Sequence, residues 1–197
     1  MKLLKTSLVS IALLTSSYAS AEYATLYVDS HYKGGLVATP LVAGYGRTVD
    51  QNDSASSVEI VGNLCVLLAR DHTYKGAWTF LSNSAPDLRP LGWNDVVSSW
   101  AVFDDTWGCN DASIAKLYYD ANGGGGKVPV IPNVPNNDLN YFNDKASSVY
   151  IPVGMSVTLF EHGGFSGSSI TLQGTGSIIN LGPLGWNDKV TSFTSNR

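Results

Sequence analysis

Charge is scarce in this 197-residue chain: Asp, Glu, Lys and Arg together make up 14% of it. From residue 22 onward the balance is 10 Lys/Arg against 16 Asp/Glu, a net of −6. That shortage of positive charge argues against nucleic acid and anionic membrane surfaces as partners. It is compatible with a cation as ligand. Long apolar runs are also missing after the first twenty residues, so no later stretch reads as a membrane-spanning helix. Runs of helix-favouring residues are few, whereas glycine (20 residues) and aromatics (11%) are plentiful. This is the composition of an all-β secreted protein. Histidine is limited to His31, His72 and His162, with no metal-ligand spacing among them, and they read as solvated loop residues.

Residues 1–21 read as a secretory signal peptide. Lys2 and Lys5 supply the charged start, Leu8 to Leu14 the apolar stretch, and Ala19-Ser20-Ala21 a small-x-small cleavage site. The apolar run is too short to span a bilayer, and no Cys follows the cleavage site to carry a lipoprotein anchor. The expected location is therefore secreted or periplasmic. The two cysteines, Cys65 and Cys109, would form an intramolecular disulfide by default in an exported chain. Two buried free thiols are the alternative.

What is present is repetition. Leu184-Gly185-Trp186-Asn187-Asp188-Lys189-Val190-Thr191-Ser192-Phe193 matches Leu91-Gly92-Trp93-Asn94-Asp95-Val96-Val97-Ser98-Ser99-Trp100 at seven of ten positions. Shortened forms occur at 52–57 (Asn52-Asp53-Ser54-Ala55-Ser56-Ser57) and 143–148 (Asn143-Asp144-Lys145-Ala146-Ser147-Ser148). The pattern Asn-Asp-x-x-Ser/Thr-Ser thus appears four times, at intervals of 42, 49 and 44 residues. A second pattern precedes each copy: an aromatic, another five residues later, and a Gly two after that. Tyr27/Tyr32/Gly34 and Phe160/Phe165/Gly167 show it in full. The second unit keeps Tyr74 and Gly76, with Leu68 in place of the leading aromatic and one extra residue between. In the third, Tyr119 leads to Gly126, with Gly124 where the second aromatic should stand.

Each unit of about 40 residues reads as short strands joined by a tight folded hairpin. The expected strands are Ala24–Val28, Leu64–Ala69, Ser113–Tyr119 and Ser156–Phe160, each followed after its hairpin by another (Leu36–Thr39, Trp78–Leu81, Val128–Ile131, Ser169–Gln173). The motif tails lead into further strands, such as Ser57–Val61 and Ser148–Ile151. Leu88–Leu91 and Ile179–Leu184 read as loops with at most one helical turn. Four short strands per unit suggest Greek keys. The longer middle interval places a polar linker at 104–112. The chain therefore reads as a 22–103 domain and a 113–197 domain, each packing two β-sheets face to face.

Together these features resemble the calcium-binding βγ-crystallins of microbial type. The hairpins, the four Asn-Asp motifs and the Leu-Gly-Trp before motifs two and four carry the resemblance, the last being similar to the family's tryptophan corner. It implies two Greek-key β-sandwich domains and paired motifs, 52–57 with 94–99 and 143–148 with 187–192. Each pair would hold up to two calcium ions. Each ion would take the carboxylate of Asp53, Asp95, Asp144 or Asp188 and the backbone carbonyl of Ser54, Val96, Lys145 or Lys189. The partner motif would supply a hydroxyl from Ser56, Ser98, Ser147 or Thr191. A further carbonyl is implied just after the leading aromatic, near Val28, Arg70, Asp120 and Glu161. The final Ser57, Ser99, Ser148 and Ser192 would tie the hairpins down. Calcium accepts 6–8 oxygens of these types. With about one carboxylate per ion, dissociation constants of about 10⁻⁵–10⁻³ M are expected.

Blander readings stand beside these. Asn-Asp and Ser-Ser are common turn formers, so the alternative is four surface turns; four complete copies at matched spacing favour calcium. Gly164-Phe165-Ser166-Gly167 resembles a nucleophile elbow but lacks its second Gly and its helix. Asn52-Asp53-Ser54 fits a glycosylation sequon only on a eukaryotic route. Val130 to Asp138 reads as a long polar loop. Trp78, Trp93, Trp100, Trp107 and Tyr141 could form a sugar platform, although core and corner packing accounts for most of them. With no paired carboxylates or nucleophile–base set, an enzyme is not expected. The reading is a secreted, monomeric, non-enzymatic calcium-binding protein. The alternative is a binding module for a protein or glycan, such as a protease inhibitor or toxin-like protein, with calcium in support.

Overall fold

The computed structural model describes residues 21–37, 41–47, 51–74 and 76–197. The expected signal peptide, apart from Ala21, lies outside the described residues, as do Ala38 and Thr39 of the expected strand Leu36–Thr39. Fourteen strands are described, and apart from them the described residues form only single 3-10 turns as regular elements.

Strands β1 (Tyr23–Asp29), β2 (Lys33–Leu36) and β4 (Ser57–Val61) form one sheet, ordered β2-β1-β4. The next sheet is ordered β3-β7-β5-β6, from β3 (Gly44–Arg47), β5 (Leu64–Ala69), β6 (Trp78–Leu81) and β7 (Ser99–Asp104). The later part of the chain repeats this. Strands β8 (Ala115–Tyr118), β9 (Lys127–Val130), β10 (Ser148–Tyr150) and β13 (Ile178–Asn180) are ordered β13-β10-β8-β9. Strands β11 (Ser156–His162), β12 (Ser166–Gln173) and β14 (Ser192–Asn196) are ordered β12-β11-β14. All pairings are antiparallel.

The third strand of every unit leaves its own sheet for that of its neighbour. β3, from the first unit, pairs with β7 of the second, and β13, from the fourth, pairs with β10 of the third. The other two crossings shrink to single bridges, Ala85 with Val58 and Asn136 with Phe193. This exchange is the Greek-key connection. It leaves each unit short of a strand on its own.

Two of these strands differ from the sequence reading. β3 is Gly-Tyr-Gly-Arg and has no alternation to betray it. Gly46 is required there because a Cβ would lie 2.2 Å from Trp100 Nε1. Ile178–Asn180 is a strand rather than part of a loop, held by Ser148 and Tyr150. The Val130–Asp138 segment is also more than a polar loop. Ile131 is fully buried, and Asn136 exchanges backbone hydrogen bonds with Phe193.

Within each sheet pair the inward side chains alternate, as a half-buried strand requires. Leu26, Val58, Val66, Leu68, Trp100 and Val102 fill the first core, and Leu117, Val149, Val157, Leu159 and Phe193 the second. β5 is different, because all six of its residues are buried. Its outward Cys65, Leu67 and Ala69, with Ala101 and Phe103 of β7, pack against Ile114 and Ile131 from the later part of the chain. This sheet is therefore apolar on both faces.

Tyr45 of β3 seals that contact. Its hydroxyl donates to Pro129 O (3.3 Å) and accepts from Ile131 N (2.8 Å), while its ring meets Tyr74 and Phe193 edge-on. Burial pushes the Tyr45 phenol pKa well above its ordinary value. Cys65 and Cys109 are disulfide-bonded, fastening the 105–113 segment to β5. In that segment Asp111 takes Lys116 at 2.7 Å and Lys127 at 3.2 Å. Lys127 also lies 4.1 Å over the Trp78 ring. Burial pushes the Asp111 carboxyl up, but the two lysines outweigh it and the net shift is downward.

Two outcomes follow from these contacts. The disulfide closes a loop spanning 44 residues, so reduction should destabilise the chain by about 4 kcal/mol on the chain-entropy account. Denaturant titration with and without reductant measures it. A carboxyl with a depressed folded pKa stabilises above its unfolded pKa and loses that contribution as pH falls through the folded one. Acidification below about pH 4 should therefore lower the melting temperature of the native chain more than that of Asp111→Asn.

Candidate metal centres

The second residue of every Asn-Asp motif has a left-handed backbone: φ is 55° at Asp53, 51° at Asp95, 52° at Asp144 and 54° at Asp188. Asp and Asn tolerate this conformation better than other residues with a Cβ. The turn brings the motifs together in pairs through backbone hydrogen bonds. Asp53 N donates to Val97 O and Asp95 N to Ala55 O, while Asp144 N donates to Val190 O and Asp188 N to Ala146 O. Motif 52–57 therefore meets 94–99, and 143–148 meets 187–192.

The last Ser of each motif sets the hairpin. Ser57 Oγ donates to Asp29 O (2.7 Å), Ser148 Oγ to Asp120 O (2.6 Å) and Ser192 Oγ to His162 O (2.7 Å); Ser99 Oγ likewise donates to Asp71 O. Three residues further on, the N–H groups of Tyr32, Gly123 and Phe165 donate back to Ser57, Ser148 and Ser192. These anchors correct the hairpin register in two units. The fifth-residue N–H groups bond Tyr27, Ala69, Tyr118 and Phe160, which are the leading positions. Ala69 therefore leads unit two in place of Leu68, with no extra residue, and Leu68 belongs to the core. In unit three Tyr118, Gly123 and Gly125 take the places assigned to Tyr119, Gly124 and Gly126. The carbonyl after the leading position is then that of Tyr119, since Asp120 O already accepts Ser148. Gly123 also explains the missing aromatic. That position is left-handed in every unit (Tyr32 φ 59°, Tyr74 φ 58°, Gly123 φ 74°, Phe165 φ 60°), and glycine adopts it without strain.

The oxygens gather unequally. Ser98 Oγ lies 3.0 Å from Asp53 Oδ1 and 3.0 Å from Arg70 O. Thr191 Oγ1 lies 2.8 Å from Glu161 O and 3.5 Å from Asp144 Oδ1. Ser56 Oγ lies 3.4 Å from Asp95 Oδ1, and among the described residues no hydrogen bond joins it to Val28 O. Among the described residues no such bond joins Ser147 to Asp188. Adjacent oxygens about 2.4 Å from one calcium ion stand about 2.8–3.4 Å apart, so all three oxygens of the Asp53 cluster have spacing that suits the ion, and in the Asp144 cluster the Thr191–Glu161 pair does while Asp144 Oδ1 stands slightly wider. The side chains of Ser54 and Lys145 turn elsewhere, to Gln51 O and Tyr141 O. Val96 packs partly against the core, and Lys189 is exposed. Among the described residues no three His, Cys, Asp or Glu side chains gather to hold a metal. The donor set is instead one carboxylate with a hydroxyl and a backbone carbonyl.

Sequence reasoning gave the first Asn of each motif no role. In all four its Nδ2 donates to Oδ2 of the next Asp, at 2.8 Å (Asn52), 2.6 Å (Asn94), 3.0 Å (Asn143) and 2.6 Å (Asn187). In three of the four, where Asp53, Asp95 and Asp144 meet the partner hydroxyl, this leaves Oδ1 as the oxygen that faces it. The repetition of Asn was the available signal. Nearby positive charge is directed away: the Arg70 guanidinium donates to Gly92 O and lies 5.2 Å from the Trp93 ring centre. Trp93 and Trp186 are themselves buried, each following a 3-10 turn ended by a left-handed Gly92 or Gly185. Ser168 holds the Glu161 carboxyl below its ordinary range.

No protein-family model and no curated protein matches the chain. Several solved structures do. A βγ-crystallin domain from Flavobacterium johnsoniae is 28% identical, covering 42% of this chain and 96% of that one, with a TM-score of 0.38. A domain from Clostridium beijerinckii is 28% identical over 42% of this chain and 97% of its own, TM-score 0.37. A βγ-crystallin from Ciona intestinalis is 30% identical over 41% and 96%, TM-score 0.36. The chain is similar to βγ-crystallin domains. One further structure, a double mutant of clostrillin, is a complex with nickel. The βγ-crystallin-like pattern of this chain, four hairpins each tied by a motif serine, stands on its own hydrogen bonds.

If the Asn–Asp bond restrains the carboxylate, Asn94→Ala and Asn187→Ala should each cost up to about 1 kcal/mol in chelator. Urea denaturation reads this, and stabilities equal to the native chain would leave the Asn without that role.

Proposed function

We propose that the chain is a secreted, non-enzymatic calcium-binding protein built from two βγ-crystallin domains, 22–103 and 113–197, joined through 104–112. The observation that carries this reading is the convergence of Asp53 Oδ1, Ser98 Oγ and Arg70 O, drawn from two motifs and a hairpin. Its repetition at Asp144, Thr191 and Glu161 supports it. A hard divalent cation binds such carboxylate, hydroxyl and carbonyl oxygens and completes its shell with water.

The four positions are not equivalent in this reading. The Asp53 and Asp144 sites are preorganised by the Arg70 and Glu161 carbonyls. The Asp95 and Asp188 sites must gather their oxygens on binding and are weaker. With one carboxylate per ion, affinities fall at about 10⁻⁵–10⁻³ M. Binding only the folded chain, each independent site adds about 2.7 kcal/mol at 100 times its dissociation constant. Calcium thus acts structurally, clamping two motifs and a hairpin at one end of each sheet pair. Export through residues 1–21 would deliver the protein where calcium at such concentrations is available.

Calorimetric titration of residues 22–197 should resolve two tighter sites from two weaker ones. Asp53→Ala and Asp144→Ala should each remove a tighter site and reduce the calcium-dependent rise in melting temperature. Asp95→Ala and Asp188→Ala should act on the weaker pair. A melt unchanged between millimolar calcium and chelator would sink the proposal.

A further inference from the structure

The segment 132–143 has no part in the oxygen clusters beyond supplying Asn143, yet it is rich in amides and firmly held. Asn136 bridges Phe193, Leu139 N donates to Thr191 O, and Gly164 N donates to Asn137 O. Asn136 Oδ1 accepts from Asp138 N, and Asp138 Oδ1 accepts from Asn140 N. These bonds hold the segment over Tyr45 and Tyr74, and the gap between them is an open cleft of about 420 Å³. That volume lies within the range of about 300–1,000 Å³ common for small-molecule sites. A small pocket of about 30 Å³ adjoins it, sharing Tyr45, Tyr74, Asn136 and Asp138 and bordered by Tyr141.

The groups left over in this cleft define its chemistry. Among the described residues, the Asn137 side chain, Asp138 Oδ2 and Asn140 Oδ1 make no hydrogen bond within the protein. All three residues are exposed, and so is Tyr141. The Tyr45 and Tyr74 hydroxyls are committed to backbone partners, so these rings serve as a fixed wall. Among the described residues no Lys, Arg or His lines the cleft, and Asp138 is the only carboxylate among them. An anionic ligand would find no counter-charge, and an apolar one would strand the amides. Planar amide and carboxylate groups offer two polar atoms side by side, which match two neighbouring hydroxyls. Tyr45 and Tyr74, which line the cleft beside them, add the apolar contact that the C–H groups of a pyranose take.

We propose that this cleft binds a neutral saccharide of one or two rings. Asn137, Asp138 and Asn140 take its hydroxyls, and Tyr141 flanks the mouth. Both walls are needed, because Tyr45 and Tyr74 come from the early part of the chain and 134–140 from the later part. The site is separate from the calcium clusters, although Leu139 ties its far edge to motif four.

Calorimetric titration of residues 22–197 with cellobiose, lactose, mannobiose and chitobiose tests this, beside an array of other neutral glycans, with sialyllactose as the acidic arm. At least one neutral probe should bind. Asn137→Ala, Asp138→Asn (which keeps the Oδ1 acceptor for Asn140 N) and Tyr141→Ala should each weaken it by about three- to tenfold, the loss of one net hydrogen bond or contact. Because these side chains are exposed, the variants should keep the native melting temperature and calcium isotherm. That control separates failure here from failure of the calcium reading. The proposal is overturned by no neutral binding up to about 10 mM, by variants that bind like the native chain, or by binding of the acidic arm alone.

Discussion

Four buried serine hydroxyls hold this molecule in register. Ser57, Ser99, Ser148 and Ser192 have no exposed surface, and each closes a hairpin by donating to a carbonyl three residues before the left-handed position. A buried hydroxyl or N–H without a partner costs about 1–3 kcal/mol, so each bond is compulsory once the motif lies in the sheet. From that closure the rest of the site follows. The preceding residue's hydroxyl lands beside the hairpin carbonyl, as with Ser98 at Arg70 and Thr191 at Glu161. The Asp four residues before the serine then turns toward the partner motif.

The exchange of third strands makes this closure cooperative. β3 crosses to β7 and β13 crosses to β10, so neither sheet of a pair is complete from one unit. The same crossing carries Tyr45 to the face where the two parts of the chain meet. There it touches Tyr74, whose hairpin also carries the Arg70 carbonyl. The oxygen cluster around Asp53, the inter-sheet core and the contact with the later part of the chain are thus joined through one short strand. β5 and its neighbour β7 are covered on both sides, and the disulfide at Cys65 sits on the outer face of β5.

Much of this was legible in the residues. The four motifs and most strands follow from repetition and alternation, because side-chain period and turn chemistry are local properties; the pairing of the motifs came only with the family resemblance. β3 was not legible. Gly-Tyr-Gly-Arg shows no period, and its glycine is dictated by Trp100, more than fifty residues away. The hairpins of units two and three were misread by one residue. An aromatic or leucine one place off satisfies the spacing almost as well, and only the bond to the motif serine fixes which residue leads. The Asn of each motif was visible four times without a role, since its partner is one oxygen of its own neighbour.

Sequence alone determined the units, the left-handed Asp turns and the supply of oxygen donors, because each depends on residues within six positions of one another. Tertiary structure decided which oxygens meet. Ser98 and Asp53 are 45 residues apart and lie 3.0 Å from each other, whereas among the described residues no hydrogen bond joins Ser147 and Asp188, which share the same motif positions. The difference lies in the hairpin behind each hydroxyl and in how the swapped strands bring the two motifs of a pair face to face. That geometry is a property of the packed sheets, and no local pattern encodes it.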